Sequence, residues 1–350
     1  MPRNRTIEHK TGERLERSPW LSDAARRRML NALHKHDADS VRLNQAIVRE
    51  LRTVRREYRR TLAALMGLAG ARRYRALRSE MADAPRAQRV RESRVLLDQI
   101  GFNRVRAERL RKMYLDTARK LLNLNDVRIP PGVIRSHTRC TPWVTYTAPY
   151  AGFFWSFAWS RSDEASDPVL TRHLDHITGQ IGSAIDTRLS GADDDDAVEA
   201  EYYTALHAWH TAQATGPLEG YLAFEFNNSP YSGNVSDEWG FSNATFSQLA
   251  RARFQVADAT GVLSTQNSRI FVYIDTAWGE GTSWNNFVTT PRDLHWYYFK
   301  TEASFAQGSA LVLEAGVSNS TWYFADDMGI KTSNDLDLRL DRIVVRSCPA

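Results

Sequence analysis

The feature that most constrains this chain is a change of hydrophobic period at Pro130-Pro131-Gly132. Before it, apolar residues recur three and four positions apart; after it, they recur at every second position. One spacing lines a helix and the other a strand, and the Pro-Pro-Gly break can continue neither a helix nor a central strand. The expected fold is therefore multi-domain α and β, a long N-terminal helical hairpin or coiled coil followed by a C-terminal antiparallel β-sandwich of jelly-roll type. The expected limits are a flexible basic arm over 1–17, an Arg-rich helical stalk over 18–125, a linker over 126–132 and a β head over 133–350.

Within the stalk, Ser18-Pro19 offers a cap and a first-turn proline for a helix start. A seam then runs through Leu30, Leu33, Asp37, Ser40, Asn44, Ile47, Leu51, Val54, Tyr58, Thr61 and Leu65. Gly67, Gly70 and Asp83-Ala84-Pro85 break it around a short helix, ARRYRALRSEM. A second seam follows Leu96, Ile100, Asn103, Ala107, Leu110, Tyr114, Thr117, Leu121 and Leu124. Each long helix would cover about 36 residues, or roughly 54 Å. Matched lengths favour an antiparallel hairpin; the alternative is a stalk of several copies, with Asn44 and Asn103 fixing register.

Beyond the break, turn residues separate ten or so short segments of strand type, among them Gln180–Leu189, Tyr202–Ala212, His295–Thr301, Ala310–Val317, Thr321–Ala325 and Leu336–Arg346. Phe153, Trp155, Phe157 and Trp159 share one face of a strand, and Trp155 and Trp159 are expected in a two-sheet core.

Charge divides the chain at the same place. Residues 1–125 hold 31 Lys and Arg against 14 Asp and Glu, whereas 126–350 hold 15 against 27. Arg72, Arg73, Arg75, Arg78, Arg86, Arg89, Arg91 and Arg94 crowd the turn between the helices, a surface for a nucleic acid, an anionic membrane or an acidic partner. A solvated or assembly face is the stronger reading. Forty of the 46 basic residues are arginine in both halves, and no recognised nucleic-acid module is present. The half-covered seam around Ile47, Leu51, Val54, Leu110, Tyr114 and Leu121 makes self-association the expected use of the stalk.

Nine of the ten tryptophans follow Asp126. Tyr231, Trp239, Trp278 and Trp284 are flanked by Gly, Ser or Asn and are the candidate ligand-binding rings, suited to stacking on sugars. His173 with His176 and His207 with His210 form His-x-x-His pairs that could chelate a metal on a helix but diverge on a strand. Asp193–Asp196, Asp326-Asp327, Asp335, Asp337 and Asp341 could hold Ca²⁺, although none has EF-hand spacing. No nucleophile elbow, phosphate loop or His-Glu-x-x-His is present, and Glu225 with Glu238 is an unremarkable carboxylate pair. No cofactor is expected.

The N-terminal residues carry charge with no apolar run behind them, and Leu62–Ala71 is half the length of a spanning helix, so synthesis in the cytoplasm without a membrane anchor is expected. Cys140 and Cys348 flank the β region and are expected near each other, though a bridge needs oxidising conditions that this reading does not supply. Together these features point to a non-enzymatic structural or binding protein whose head contacts a glycan or protein. A glycan-active enzyme with its site in the head and a polyanion binder acting through the arginine tip are the alternatives.

Overall fold

The computed structural model describes residues 22–122, 140–151, 154–162, 166–189, 196–228, 230–237, 243–258, 261, 263–278, 282–287, 294–326 and 328–349. Four helices come first: α1 (Asp23–Ala64), α2 (Gly67–Glu80), α3 (Arg86–Gln99) and α4 (Arg104–Leu121). Thirteen strands follow: β1 (Val144–Tyr146), β2 (Phe154–Ser162), β3 (Ser166–Asp175), β4 (Gln180–Leu189), β5 (Asp196–Thr211), β6 (Gly216–Asn228), β7 (Pro230–Asp237), β8 (Asn243–Asp258), β9 (Leu263–Trp278), β10 (Thr282–Phe287), β11 (Leu294–Phe305), β12 (Ala310–Asp326) and β13 (Met328–Ser347).

The strands form two antiparallel sheets packed face to face. The smaller has five strands in the order β2-β5-β12-β8-β9. The larger has eight and is built on β13, which pairs with β4, β7, β6 and β1 along its twenty residues; β3, β10 and β11 extend it. Alternate residues of each inner face interlock as the core, including Leu206, Phe254, Leu313 and Val317 from the small sheet and Leu222, Phe224, Leu338 and Ile343 from the large one.

The helices are not a projecting stalk, and no long coiled coil is present among the described residues. α1 and α4 lie on the outer face of the small sheet, where Val48, Leu51, Tyr58, Tyr114 and Ala118 share one apolar cluster with Leu249, Ile274, Trp322 and Phe324. Burial along α1 follows Asn44, Val48, Leu51, Arg55, Tyr58 and Leu62, leaving Ile47 and Val54 at the flank. A sheet is a broader partner than a second helix, so the buried stripe is wider than a heptad seam and turned from it. The second long helix is two helices: Gly101 takes a φ of 64°, and the Asn103 side chain caps α4 by accepting from Arg106 N at 2.9 Å. Asn103 is thus a cap, and Leu51 and Tyr114 are buried within a single chain.

Several polar residues pair across the helix–sheet contact. Asn44 donates to Glu201 and accepts from Arg251 at 3.1 Å, Arg52 meets Glu199 at 3.0 Å and Arg111 meets Asp275 at 2.8 Å. Thr245 takes bonds from Arg55 at 3.2 Å and Tyr114 at 3.1 Å. Trp155, Phe157 and Trp159 are buried here, beneath α1, rather than between the sheets; Val41 packs on them.

Ala310–Val317 and Thr321–Ala325 are one strand. Ser318-Asn319-Ser320 reads as a turn in sequence, but Asn319 is fully buried. Its side chain accepts from Gln248 at 2.9 Å and donates to the carbonyls of Ser183 at 3.1 Å and Asn334 at 3.3 Å, tying the two sheets together. Cys140 and Cys348 are bridged, with Cα atoms 4.2 Å apart. The strand segments joined so tightly by β1 and β13 bring them together where sequence alone favoured two thiols.

Replacing Asn319 with leucine leaves three buried polar partners unmet and should lower unfolding free energy by roughly 2–3 kcal/mol. Urea titration followed by tryptophan fluorescence measures it, and an unchanged midpoint refutes the role. The Cys140–Cys348 bridge closes a span of 208 residues, so a double serine variant should lose about 2–5 kcal/mol. A thermal midpoint equal to that of the oxidised protein would count against this.

Candidate functional site

Among the described residues helices cover the outer face of the small sheet, and the outer face of the large sheet is the open one. Strand alternation fixes what it carries. On β6, Leu218, Leu222 and Phe224 point into the core, so Glu219, Tyr221, Ala223 and Glu225 point outward. Register then places Trp296 and Tyr298 of β11 on one side, opposite Ala223 and Tyr221. On the other side β13 places Arg342, Val344 and Arg346 opposite Ala223, Tyr221 and Glu219. Thr145 of β1 lies opposite Val344, with Trp143 two residues before it.

Four rings meet on this surface. Tyr221 is their hub: its centroid lies 5.7 Å from Trp143, 5.5 Å from Tyr298 and 6.3 Å from Trp296, all in tilted or edge contacts. Tyr221 is buried beneath its neighbours, while Trp143, Trp296 and Tyr298 are half-exposed. A side chain at position 220 would strike the Val344 carbonyl at 1.9 Å and the Phe299 ring at 2.6 Å, so Gly220 lets β6 seat closely beneath the rings.

Guanidinium groups frame the rings and are themselves paired. The Arg346 guanidinium carbon lies 4.1 Å from the Trp143 centroid, and Arg342 lies 5.7 Å from that of Trp296. Arg346 donates through Nε to Glu219 at 2.8 Å, Arg342 pairs with Asp341, and Arg339 pairs with Glu225. Glu219 also accepts from the Tyr298 hydroxyl at 3.1 Å. Burial, then the adjacent Glu219 carboxylate, pushes the Tyr298 phenol up to about 12; the same two causes raise Tyr221. The surface is aromatic, rich in donors and acceptors, and close to neutral.

The sequence candidates lie elsewhere. Tyr231 is in β7 opposite Asn334, Trp278 ends β9 opposite Asn243, and Trp284 is in β10 opposite Gly233; their backbones are in strands, not loops. Trp239, Glu238 and Asp193–Asp195 lie outside the described residues. On α2, Arg72, Arg73 and Arg75 are exposed and Arg78 half-buried; on α3, Arg86, Arg91 and Arg94 are exposed and Arg89 half-buried. Arg73 donates to Gln99 at 2.9 Å and Arg89 to the Ala84 carbonyl at 2.8 Å. The His207/His210 pair is split: His207 bonds Glu314 at 2.9 Å on the helical side of β5, whereas His210 bonds Tyr146 at 2.8 Å on the other side. His173 meets Asp335 at 2.8 Å, Asp337 accepts from Gln180 at 3.0 Å, and Asp341 is held by Arg342. No helix among the described residues is long and apolar enough to cross a membrane.

The rings that sequence reasoning missed were hidden by their neighbours. In Leu294–Phe299, LHWYYF, outward Trp296 and Tyr298 alternate with inward Tyr297 and Phe299, so a period-two ring pattern is masked by aromatics on both faces. The outward alternation of Glu219, Tyr221, Ala223 and Glu225 was the available signal.

No protein-family model and no curated protein matches this chain. Solved structures give distant matches, several of them carbohydrate-binding modules of β-sandwich fold. The enzymatically active domain of tailspike protein 4 from bacteriophage CBA120 is 8% identical over 49% of this chain and 19% of its own, with a TM-score of 0.16. The module TmCBM61, solved with β-1,4-galactotriose, is 13% identical over 54% of this chain and 88% of its own, at 0.13. The xylan-binding domain CBM22-1 of Paenibacillus barcinonensis Xyn10C is 13% identical over 48% and 96%, at 0.15. Scores this low carry no functional argument, which rests on the residues of this chain.

A raised phenol in the fold contributes stability that is fully present below the free tyrosine value near 10 and is lost as pH climbs through about 12. Ultraviolet titration should show Tyr298 ionising late, and Glu219→Gln should bring its midpoint down. A Tyr298→Phe difference spectrum centred near pH 10 contradicts the contact.

Proposed function

We propose that this protein is a non-enzymatic glycan-binding protein that takes its ligand on the open face of the eight-stranded sheet. The observation that carries this reading is the contact of Trp143, Trp296 and Tyr298 with Tyr221 on the outer face that the described helices leave uncovered. Half-exposed rings offer flat apolar area to the C–H face of a sugar, at small conformational cost because the sheet and the ring contacts already hold them. Arg342, part-exposed beside Trp296, supplies donors for hydroxyls, while the buried Arg346–Glu219 pair holds Trp143 and Tyr298 in place beneath the surface.

Charge selects among glycans. Arg339, Arg342 and Arg346 are each matched by a carboxylate, so a polyanion finds no unbalanced positive field there. A neutral glycan fits. In this reading the helices complete the fold by covering the small sheet.

Trp143→Ala and Trp296→Ala should each weaken binding to a neutral glycan by about tenfold or more, the scale of a lost aromatic anchor. Glycan-array screening followed by calorimetry measures this, and affinity should change little with added salt. Binding that falls steeply with salt and is abolished by Arg73→Ala with Arg91→Ala would replace this reading with the polyanion one.

A further inference from the structure

The Cys140–Cys348 bridge adjoins the ring surface at both of its ends. Trp143 comes three residues after Cys140, and Arg346, whose guanidinium lies over the Trp143 ring, comes two residues before Cys348. The Cys140 sulfur lies 3.9 Å from Glu219 Oε1, the oxygen that accepts from Arg346 Nε. Cys348 is buried, whereas Cys140 is half-buried with exposed Pro142 just beyond it, so Cys140 is the less sheltered end of the bridge.

What holds Trp143 differs on its two sides. From Val144 onward the chain is anchored without the bridge: β1 pairs with β13, Val144 and Tyr146 pack on the core, and the Tyr146 hydroxyl meets His210 at 2.8 Å. Ahead of Trp143 the described attachments are fewer. Thr141 N donates to the Ser347 carbonyl at 2.9 Å, the Thr141 hydroxyl accepts from Ser347 N at 3.0 Å, and the bridge is the one covalent cross-link. Thr141 is half-buried beside exposed Pro142, so water competes for its bonds, as it cannot for a bond between sulfurs. The Trp143 ring itself has only its contacts with Arg346 and Tyr221, each weak alone. Its place in the cluster therefore depends on where residues 140–142 are pinned.

We infer that the open face is gated by the redox state of this bridge: opening it frees residues 140–143 and takes the Trp143 ring out of the cluster, while β1 and the other three rings stay. That the gated event is the binding of a neutral glycan rests on the reading above. A dithiol is the reductant. Its thiolate attacks one sulfur and the S–S bond breaks; two electrons and two protons pass to the cysteines, and the dithiol closes into its own disulfide. The new Cys140 thiol is a donor beside Glu219, which the disulfide sulfur was not. A thiol is a weak donor, however, and the Arg346 bond to that carboxylate oxygen is charge-assisted. Arg346, Glu219 and Tyr298 thus keep their arrangement, and the change is confined to Trp143.

The test compares the full-length chain, labelled at its indole nitrogens, before and after treatment with dithiothreitol. The sequence has two cysteines, so two thiols should appear in the folded protein. The Trp143 indole signal should move, while that of Trp322, buried between helices and sheet, stays and reports an intact fold. On an array of neutral glycans the reduced chain should bind more weakly by about tenfold, the factor expected for Trp143→Ala. Trp143→Ala should bind no differently with or without dithiothreitol, because the ring through which the bridge acts is gone. A Trp143 signal that stays put in the reduced, folded chain overturns the inference, and so does equal glycan affinity in the two forms. Thiols that appear only in denaturant, or loss of the Trp322 signal together with that of Trp143, overturn it as well, since the bridge then holds the whole fold and not one ring. An oxidised chain that binds no neutral glycan refutes the first reading instead, and the Trp143 signal alone then decides whether the bridge holds the ring.

Discussion

The interface between α1, α4 and the outer face of the five-stranded sheet is the contact on which the rest of the structure depends. A two-layer sandwich has two outer faces, and this sequence makes one of them too apolar to leave in water. Leu249, Ile274, Trp322 and Phe324 need cover, and Glu199, Glu201 and Arg251, buried along with them, then need partners. The helices supply apolar surface and matching polar groups together, through Arg52 and Asn44. Such pairing adds modest net stability, but removing one member leaves a buried charge without compensation. The contact therefore specifies how the helices lie as well as holding them.

That cover creates an asymmetry with functional weight. The same pattern of outward rings and charged residues occurs on both sheets: Trp155, Trp159 and Tyr203 with Arg253 on the small one, Trp143, Tyr221, Trp296 and Tyr298 with Arg346 on the large one. On the first the rings are packing for a helix. On the second they meet solvent. Identical chemistry thus has two uses, and the direction in which the helices fold decides which is which.

The switch from helix to strand, the antiparallel sandwich and most strand positions were legible because period is a local signal; Gln180–Leu189 was placed to the residue. What was not legible depended on a partner distant in sequence. Ser318-Asn319-Ser320 looks like a turn unless Gln248, Ser183 and Asn334 are known to stand around it. Arg55 looks like a solvated flank, yet it is fully buried at a helix–sheet contact. β3 and β7 are short of apolar residues, and their pairing is fixed by β4 and β13 rather than by their own composition. The ring cluster failed to show for a related reason: Trp143, Tyr221 and Trp296 are far apart in the chain, and only the register of β1, β13, β6 and β11 assembles them.

The central position of β13 bears on the order in which the molecule can be made. Of the described strands it is made after all the others, and β4, β6, β7 and β1 all take hydrogen bonds from it. The five-stranded sheet, by contrast, is closed by β12 and can be complete with its helical cover before β13 leaves the ribosome. Through that interval four segments of the larger sheet, β1, β3–β4, β6–β11 and β7–β10, lack the neighbour that their main-chain groups require, and their inward apolar rows have no finished layer of their own. The chain thus matures from its helix-backed layer outward, and the face that carries the rings is assembled only once β13 has emerged.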